Sequence, residues 1–189
     1  MPPFSAEGGN MIFEEKTLNS KKIYNGNVIN VRLDTVAMPD GNTAPRDIVE
    51  HPGGVGIVAL TDDKKVIMVK QYRKPIEKAI YEIPAGKMDK GCEDPKECGM
   101  RELEEETGYK CDNLKYLGHI YPSPGFTDEI THIYLADKLY KGQVHPDDDE
   151  FLDTEIFDFK YVKKMIMNNE INDAKTVFGI LKTAEVLGL

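Results

Sequence analysis

Two short apolar runs, residues 56–60 and 66–69, constrain the fold most. Each is strand-length and almost free of polar side chains, and the polar stretch 61–65 joins them, so they read as buried central strands. Shorter strand-like runs surround them. Residues 22–24, 28–36 and 48–50 are separated by the turn formers Asn25-Gly26-Asn27 and Asp40-Gly41-Asn42, the second of which is a hairpin signal. Residues 79–83, 115–121 and 130–136 resume the strand pattern. Between them Asp94, Pro95 and Glu97 stand as N-cap, N1 and N3, with Gly108 where a C-terminal glycine cap belongs, which predicts a helix over 95–107. A second helix is expected near 160–167, and a last one after Asp173, where Val177, Ile180, Leu181 and Ala184 recur at helical spacing. The chain is therefore of the α/β class.

At 189 residues it can hold one domain with a real core and a small appended subdomain. A net charge of -9 argues against nonspecific nucleic-acid or anionic-membrane partners, and no apolar run approaches the roughly 18 residues that span a bilayer. Cys92, Cys98 and Cys111 are odd in number and lack zinc-ligand spacing, so reduced thiols and a cytoplasmic location are expected. The four histidines make no ligand-like spacing either. Residues 1–10 read as a leader or cloning remnant, 11–51 as an N-terminal β region and 52–189 as the catalytic domain.

The chemistry concentrates in the helix over 95–107. Arg101 is followed by Glu102, Glu104, Glu105 and Glu106, four carboxylates in five positions. Glu102, Glu105 and Glu106 are spaced i, i+3 and i+4 and share a face, in the half of the helix where the macrodipole disfavours anions. Stability alone would place lysine or arginine there. Hard carboxylate oxygens converging on one face suit Mg²⁺ or Mn²⁺, and Arg101 can reach Glu104 or Glu105 one turn on. The plain alternative, a solvated glutamate-rich face, leaves the glycine-bearing loop before the helix and the glycine cap after it unexplained. On the helix terms alone, Glu106→Gln should stabilise the metal-free protein slightly.

Residues 86–109 resemble the Nudix box: Gly, five residues, Glu, seven residues, then Arg-Glu-apolar-any-Glu-Glu-any-Gly-apolar. The run from Arg101 to Tyr109 matches every fixed position of the second half, and Glu93 lies seven residues before Arg101. Six residues, not five, separate Gly86 from Glu93. Either the loop 87–92 carries one extra residue, or Cys92 stands in for the first glutamate. The resemblance implies an α/β/α sandwich with a mixed sheet, plus the N-terminal antiparallel β region. It implies two or three Mg²⁺ or Mn²⁺ ions held by Glu102, Glu106 and the Ala85 carbonyl, with Glu105 as a further ligand or an aid to the water and Gly86 allowing close approach. Such ions would activate water and neutralise charge on a diphosphate.

Outside the box, Tyr81-Glu82-Ile83-Pro84-Ala85-Gly86, Gln71-Tyr72-Arg73 and Pro124 resemble the ADP-ribose pyrophosphatase branch. This resemblance implies cleavage of ADP-ribose to AMP and ribose 5-phosphate, with GDP-mannose or another nucleotide sugar as the alternative. A different class, a nucleotide-sugar-sensing module that does not cleave, would usually have lost box glutamates. Arg73 is a fork for a phosphate or a site carboxylate; Tyr72 could stack on adenine. Arg46 and Glu50 could reach a partner's site if the N-terminal region is exchanged in a homodimer. In the acidic run 147–150, the branch implies Glu150 as a metal ligand and Asp148 as the base.

Overall fold

The computed structural model describes residues 13–88, 94–143 and 151–189, and the chain divides into two compact units. The first holds the residues up to His51 together with 125–128. Its strands β1 (Lys16–Asn25), β2 (Asn30–Ala37) and β3 (Thr43–Glu50) form an antiparallel sheet in the order β1-β2-β3. The hairpin between β2 and β3 closes through Met38 N–H to Asn42 O (2.7 Å), with Gly41 at φ +86°. That left-handed conformation favours glycine. Residues 125–128 run beside β3: Val49 N–H donates to Phe126 O at 2.7 Å, and Asp128 N–H to Val49 O at 3.2 Å. Every residue of β1 is exposed, which is why its polar first half carried no strand signal; its pairing with β2 makes it a strand.

The second unit holds 52–124 and 129–189. Its elements are β4 (Gly54–Leu60), β5 (Lys65–Arg73), β6 (Lys78–Glu82), β7 (Ala85–Lys87), α1 (Pro95–Thr107), β8 (Tyr109–Lys110), β9 (Leu114–Ile120), β10 (Thr131–Ala136), β11 (Tyr140–Lys141), β12 (Leu152–Asp158), α2 (Phe159–Met167) and α3 (Ala174–Leu187). The main sheet runs β12-β5-β4-β10-β9, with β6 beside β5 and β7 beside β4. β10 is parallel to β4 and the other pairs are antiparallel, so the sheet is mixed.

Both apolar runs are buried on both faces. Val55, Ile57, Ala59 and Ile67 pack with Cys98 and Leu103 of α1. Val58, Leu60, Val66 and Met68 pack with Phe159 and Val162 of α2 and Ile180 and Ala184 of α3. Alternation along the strands thus feeds two cores, one under each helical layer, and the architecture is the α/β/α sandwich. Each buried Ile, Leu, Val or Met contributes roughly 1.5–3 kcal/mol. The helices start at aspartates: Asp94 accepts from Lys96 N–H, Asp158 from Lys160 and Tyr161 N–H, and Asp173 from Thr176 N–H. β7, β8, β11 and β12 had no signal in the sequence. Three are two or three residues long, and β12 is a largely exposed edge strand with Asp, Thr and Glu at its centre.

Candidate active site

The last two turns of α1 hold four glutamates, and Gly108 ends the helix at φ 68° with its N–H on Glu104 O. Glu102 and Glu106, one turn apart, are 8% and 2% exposed. What covers them is β7. Ala85 N–H donates to Glu106 Oε2 at 3.0 Å, and a Cβ on Gly86 would overlap the Glu102 carboxylate. Thr154 Oγ1 of β12 donates to the Glu106 backbone oxygen at 3.2 Å. Arg101 Nη1 lies 2.7 Å from Glu102 and donates to Glu105 at 2.6 Å. Glu104 is turned elsewhere: it accepts from Lys110 at 2.8 Å and from Gln143 N–H at 3.3 Å. The carboxylate run therefore splits, with Glu102, Glu105 and Glu106 toward β7 and Arg101, and Glu104 toward β8 and the chain after β11.

Two buried carboxylates side by side repel each other and lose hydration, an arrangement that a divalent cation relieves. The cradle at Gly86 has room for Glu102 only because glycine has no side chain. Among the described residues, no three acidic, histidine or cysteine side chains already form a ligand cluster. The donor chemistry and the glycine cradle nonetheless fit a hard divalent ion. Cys92, Glu93, Asp148 and Glu150 lie outside the described residues.

Arg73 ends β5 and grips the buried Glu82 of β6 side-on, Nε to Oε1 at 2.6 Å and Nη2 to Oε2 at 2.7 Å. Burial pushes the Glu82 carboxyl up, but Arg73 and Lys175 outweigh it and hold it below the ordinary carboxylate range. The hydrogen bonds to Glu82 in turn raise Arg73, whose guanidinium also feels Asp173 and Glu106. Of the two roles open to Arg73 from the sequence, the fork to a carboxylate is present, although that carboxylate is Glu82 and not one of the box. Tyr72 is 55% exposed on β5, and Pro124 is exposed in the turn after β9. Arg46 and Glu50 belong to the first unit, where Arg46 pairs with Glu15 and Glu50 with Arg32 at 3.0 Å.

Sequence reasoning overlooked Glu82 and Lys175. The available signal was a lone glutamate inside the apolar run 79–83, where a charge needs a buried partner. Neither described cysteine suits nucleophilic chemistry: Cys98 and Cys111 are buried, and burial pushes the Cys111 thiol up.

The model of the NUDIX domain matches residues 50–177. The chain belongs to the Nudix family. A second model, the nucleoside diphosphate sugar hydrolase N-terminal domain, matches residues 15–49. Similar proteins include the methanol dehydrogenase activator of Bacillus methanolicus, 46% identical over 89% of this chain and 92% of that protein. The ADP-ribose pyrophosphatase of Bacillus subtilis is 44% identical over 88% of this chain and 91% of its own length. The GDP-mannose pyrophosphatase of Yersinia enterocolitica is 30% identical over 76% of this chain and 79% of that protein. A crystal structure of an ADP compounds hydrolase superposes with a TM-score of 0.81, covering 93% of this chain and 95% of that one, at 22% identity. At that identity the likeness speaks for the fold. Among the described residues no helix is long and apolar enough to cross a membrane.

Proposed function

We propose that this Nudix hydrolase is an ADP-ribose diphosphatase that uses Mg²⁺ or Mn²⁺ and releases AMP and ribose 5-phosphate. The observation that carries the reading is the buried Glu102–Glu106 pair laid against Ala85 and Gly86. The likeness to the Bacillus subtilis ADP-ribose pyrophosphatase over most of both chains supports the substrate. Retention of every helix position of the box favours catalysis over a non-cleaving sensor.

Glu102 and Glu106, with Glu105, the Ala85 carbonyl and Glu150, would hold two or three ions. When bound, such ions polarise the diphosphate and activate water. Arg101 holds Glu105 and Glu102 in place, so that both carboxylates are pre-positioned. Arg73, half-exposed beside Glu82, offers its remaining N–H groups to a phosphate. Tyr72 and Pro124 would flank the nucleoside, and Asp148 is the proposed base. Arg46 and Glu50 would serve the site of the second subunit in a cytoplasmic homodimer, with the exposed β1 edge and its Leu18, Ile23 and Tyr24 as the pairing surface.

The chief rival is another nucleotide sugar, favoured by the GDP-mannose pyrophosphatase similarity. The still higher identity to a protein named as a dehydrogenase activator shows why overall likeness alone does not choose a substrate. The test is kcat/KM over ADP-ribose, ADP-glucose, GDP-mannose, NADH and diadenosine polyphosphates with Mg²⁺. ADP-ribose is expected to lead. A preference above about tenfold, or 1.4 kcal/mol, for GDP-mannose would end that assignment and leave the family intact.

A further inference from the structure

Glu82 is shared. Its side chain is 1% exposed, and besides Arg73 it accepts a hydrogen bond from the Nζ of Lys175, in the first turn of α3. Lys175 is itself held by Asp173 Oδ2 at 3.1 Å. Asp173 caps α3 by accepting from Thr176 N–H at 3.0 Å and Thr176 Oγ1 at 2.6 Å. The same Thr176 Oγ1, fully buried, accepts from Ile83 N–H at 2.9 Å. The start of α3 thus fastens residues 82 and 83 from two directions, just ahead of Ala85 and its bond to Glu106.

The geometry of Arg73 makes this attachment consequential. A guanidinium bound side-on through Nε and Nη2 has its plane fixed by the carboxylate. Among the described residues the bonds of Arg73 run through Nε and Nη2 alone, and its side chain is 40% exposed. The Nη1 edge is therefore the part that can meet a ligand. Its direction depends on where the Glu82 carboxylate sits. Arg73 spans both oxygens of that carboxylate, and Lys175 grips Oε2, the oxygen that also accepts from Arg73 Nη2, so removing Lys175 frees the carboxylate and its guanidinium to shift together.

We propose that Lys175 is a positioning residue for diphosphate recognition: by anchoring Glu82 from α3 it aims the outer edge of Arg73 at the phosphate of a nucleoside diphosphate. This deepens the hydrolase reading above and rests on it. Lys175 touches no substrate, so its removal acts on binding through Arg73 and leaves the carboxylate face of α1 in place.

The test is a cycle of wild type, Lys175→Met, Arg73→Ala and the double variant, with Lys175→Arg as the rescue. The readouts are kcat and KM for whichever nucleotide sugar the wild type cleaves best, and the calorimetric Kd for ADP, which requires no turnover. Lys175→Met is expected to raise KM and Kd about tenfold with kcat within about threefold, the mark of lost uniform binding. Lys175→Arg should recover most of the loss. In the Arg73→Ala background the same substitution should add less than about twofold, because groups that act through one another are not additive. Should Lys175→Met melt below the assay temperature, Lys175→Gln, which keeps a donor for Glu82 without the charge, takes its place in the cycle. An unchanged KM, or an equal loss with and without Arg73, would overturn the proposal, as would failure of the wild type to bind ADP. If the wild type cleaves no nucleotide sugar, the hydrolase reading falls and the ADP arm alone decides the role of Lys175.

Discussion

Replacing Glu106 by glutamine removes one charge from a buried carboxylate and keeps its shape, so opposing electrostatic terms decide the outcome. Losing the repulsion from Glu102 one turn earlier gains about 0.2–0.5 kcal/mol. Losing the clash with the helix macrodipole in the last turn gains about 0.3–1 kcal/mol. Against these stands the bond from Ala85 N–H at 3.0 Å. A hydrogen bond to a charged group is worth about 1.5–3 kcal/mol and a neutral one about 0.5–1.5, so the weaker bond to glutamine costs about 1 kcal/mol. The terms nearly cancel. The helix by itself predicts a small gain for the metal-free variant; β7 removes it, and the melting point in EDTA should stay within about 4 °C of wild type. With Mg²⁺ the two proteins should part. Saturation at a hundred times Kd stabilises wild type by about 2.7 kcal/mol, while the variant gains little. Turnover should fall by at least about a hundredfold, the scale of losing about 2.7 kcal/mol of transition-state stabilisation. Glu104→Gln is the control: it gives up only a solvent-screened surface pair with Lys110 and should keep its kcat. Thermal melts in EDTA and in millimolar Mg²⁺, beside kcat, read all of this. Equal Mg²⁺ shifts in wild type and Glu106→Gln, or a metal-free loss above about 2 kcal/mol, would show that the carboxylate is structural and refute the reasoning.

Glu82→Gln leaves Arg73 and Lys175 facing a neutral partner and should cost about 3–5 kcal/mol at neutral pH, measured by denaturant unfolding. The folded carboxyl of Glu82 is held low, so its contribution is present above the unfolded-state pKa and is lost as pH falls through the folded value. The wild-type melting point should therefore drop more steeply than that of Glu82→Gln below about pH 4.5. Gly86→Ala places a methyl group on the Glu102 carboxylate, and circular dichroism should show a folded protein with turnover reduced at least about a hundredfold. Light scattering at micromolar concentration should report a dimer, and removal of residues 17–50 should abolish activity; a monomer, or retained activity, would remove Arg46 and Glu50 from the site.

The parts of the fold that could be read from the sequence were those whose pattern carried its own physics. Residues 56–60 and 66–69 read as buried strands from their length and apolar content, and α1 announced both ends through Asp94-Pro95 and Gly108. The polar first half of β1 and all of β12 could not be read, because exposed strands defined by their neighbours have no obligatory alternation. In the site, spacing placed Glu102, Glu105 and Glu106 on one face, and the resemblance to the Nudix box implied Gly86 beside them. Spacing also put Arg101 within reach of Glu104 or Glu105, of which Glu105 is the one held, but it did not show that Ala85 donates to Glu106, since that depends on how β7 lies across the helix. Glu82 and Lys175 are 93 residues apart, a separation that no local pattern spans. Arg73 was visible as a fork, but its partner emerged only from the pairing of β5 with β6.

The most direct measurement of the central claim is product formation from ADP-ribose, followed by chromatography as Mg²⁺ is titrated into EDTA-stripped protein. The account predicts no turnover in EDTA, recovery with Mg²⁺, and AMP and ribose 5-phosphate in equal amounts. Turnover that persists undiminished in EDTA, or products other than that pair, would contradict it.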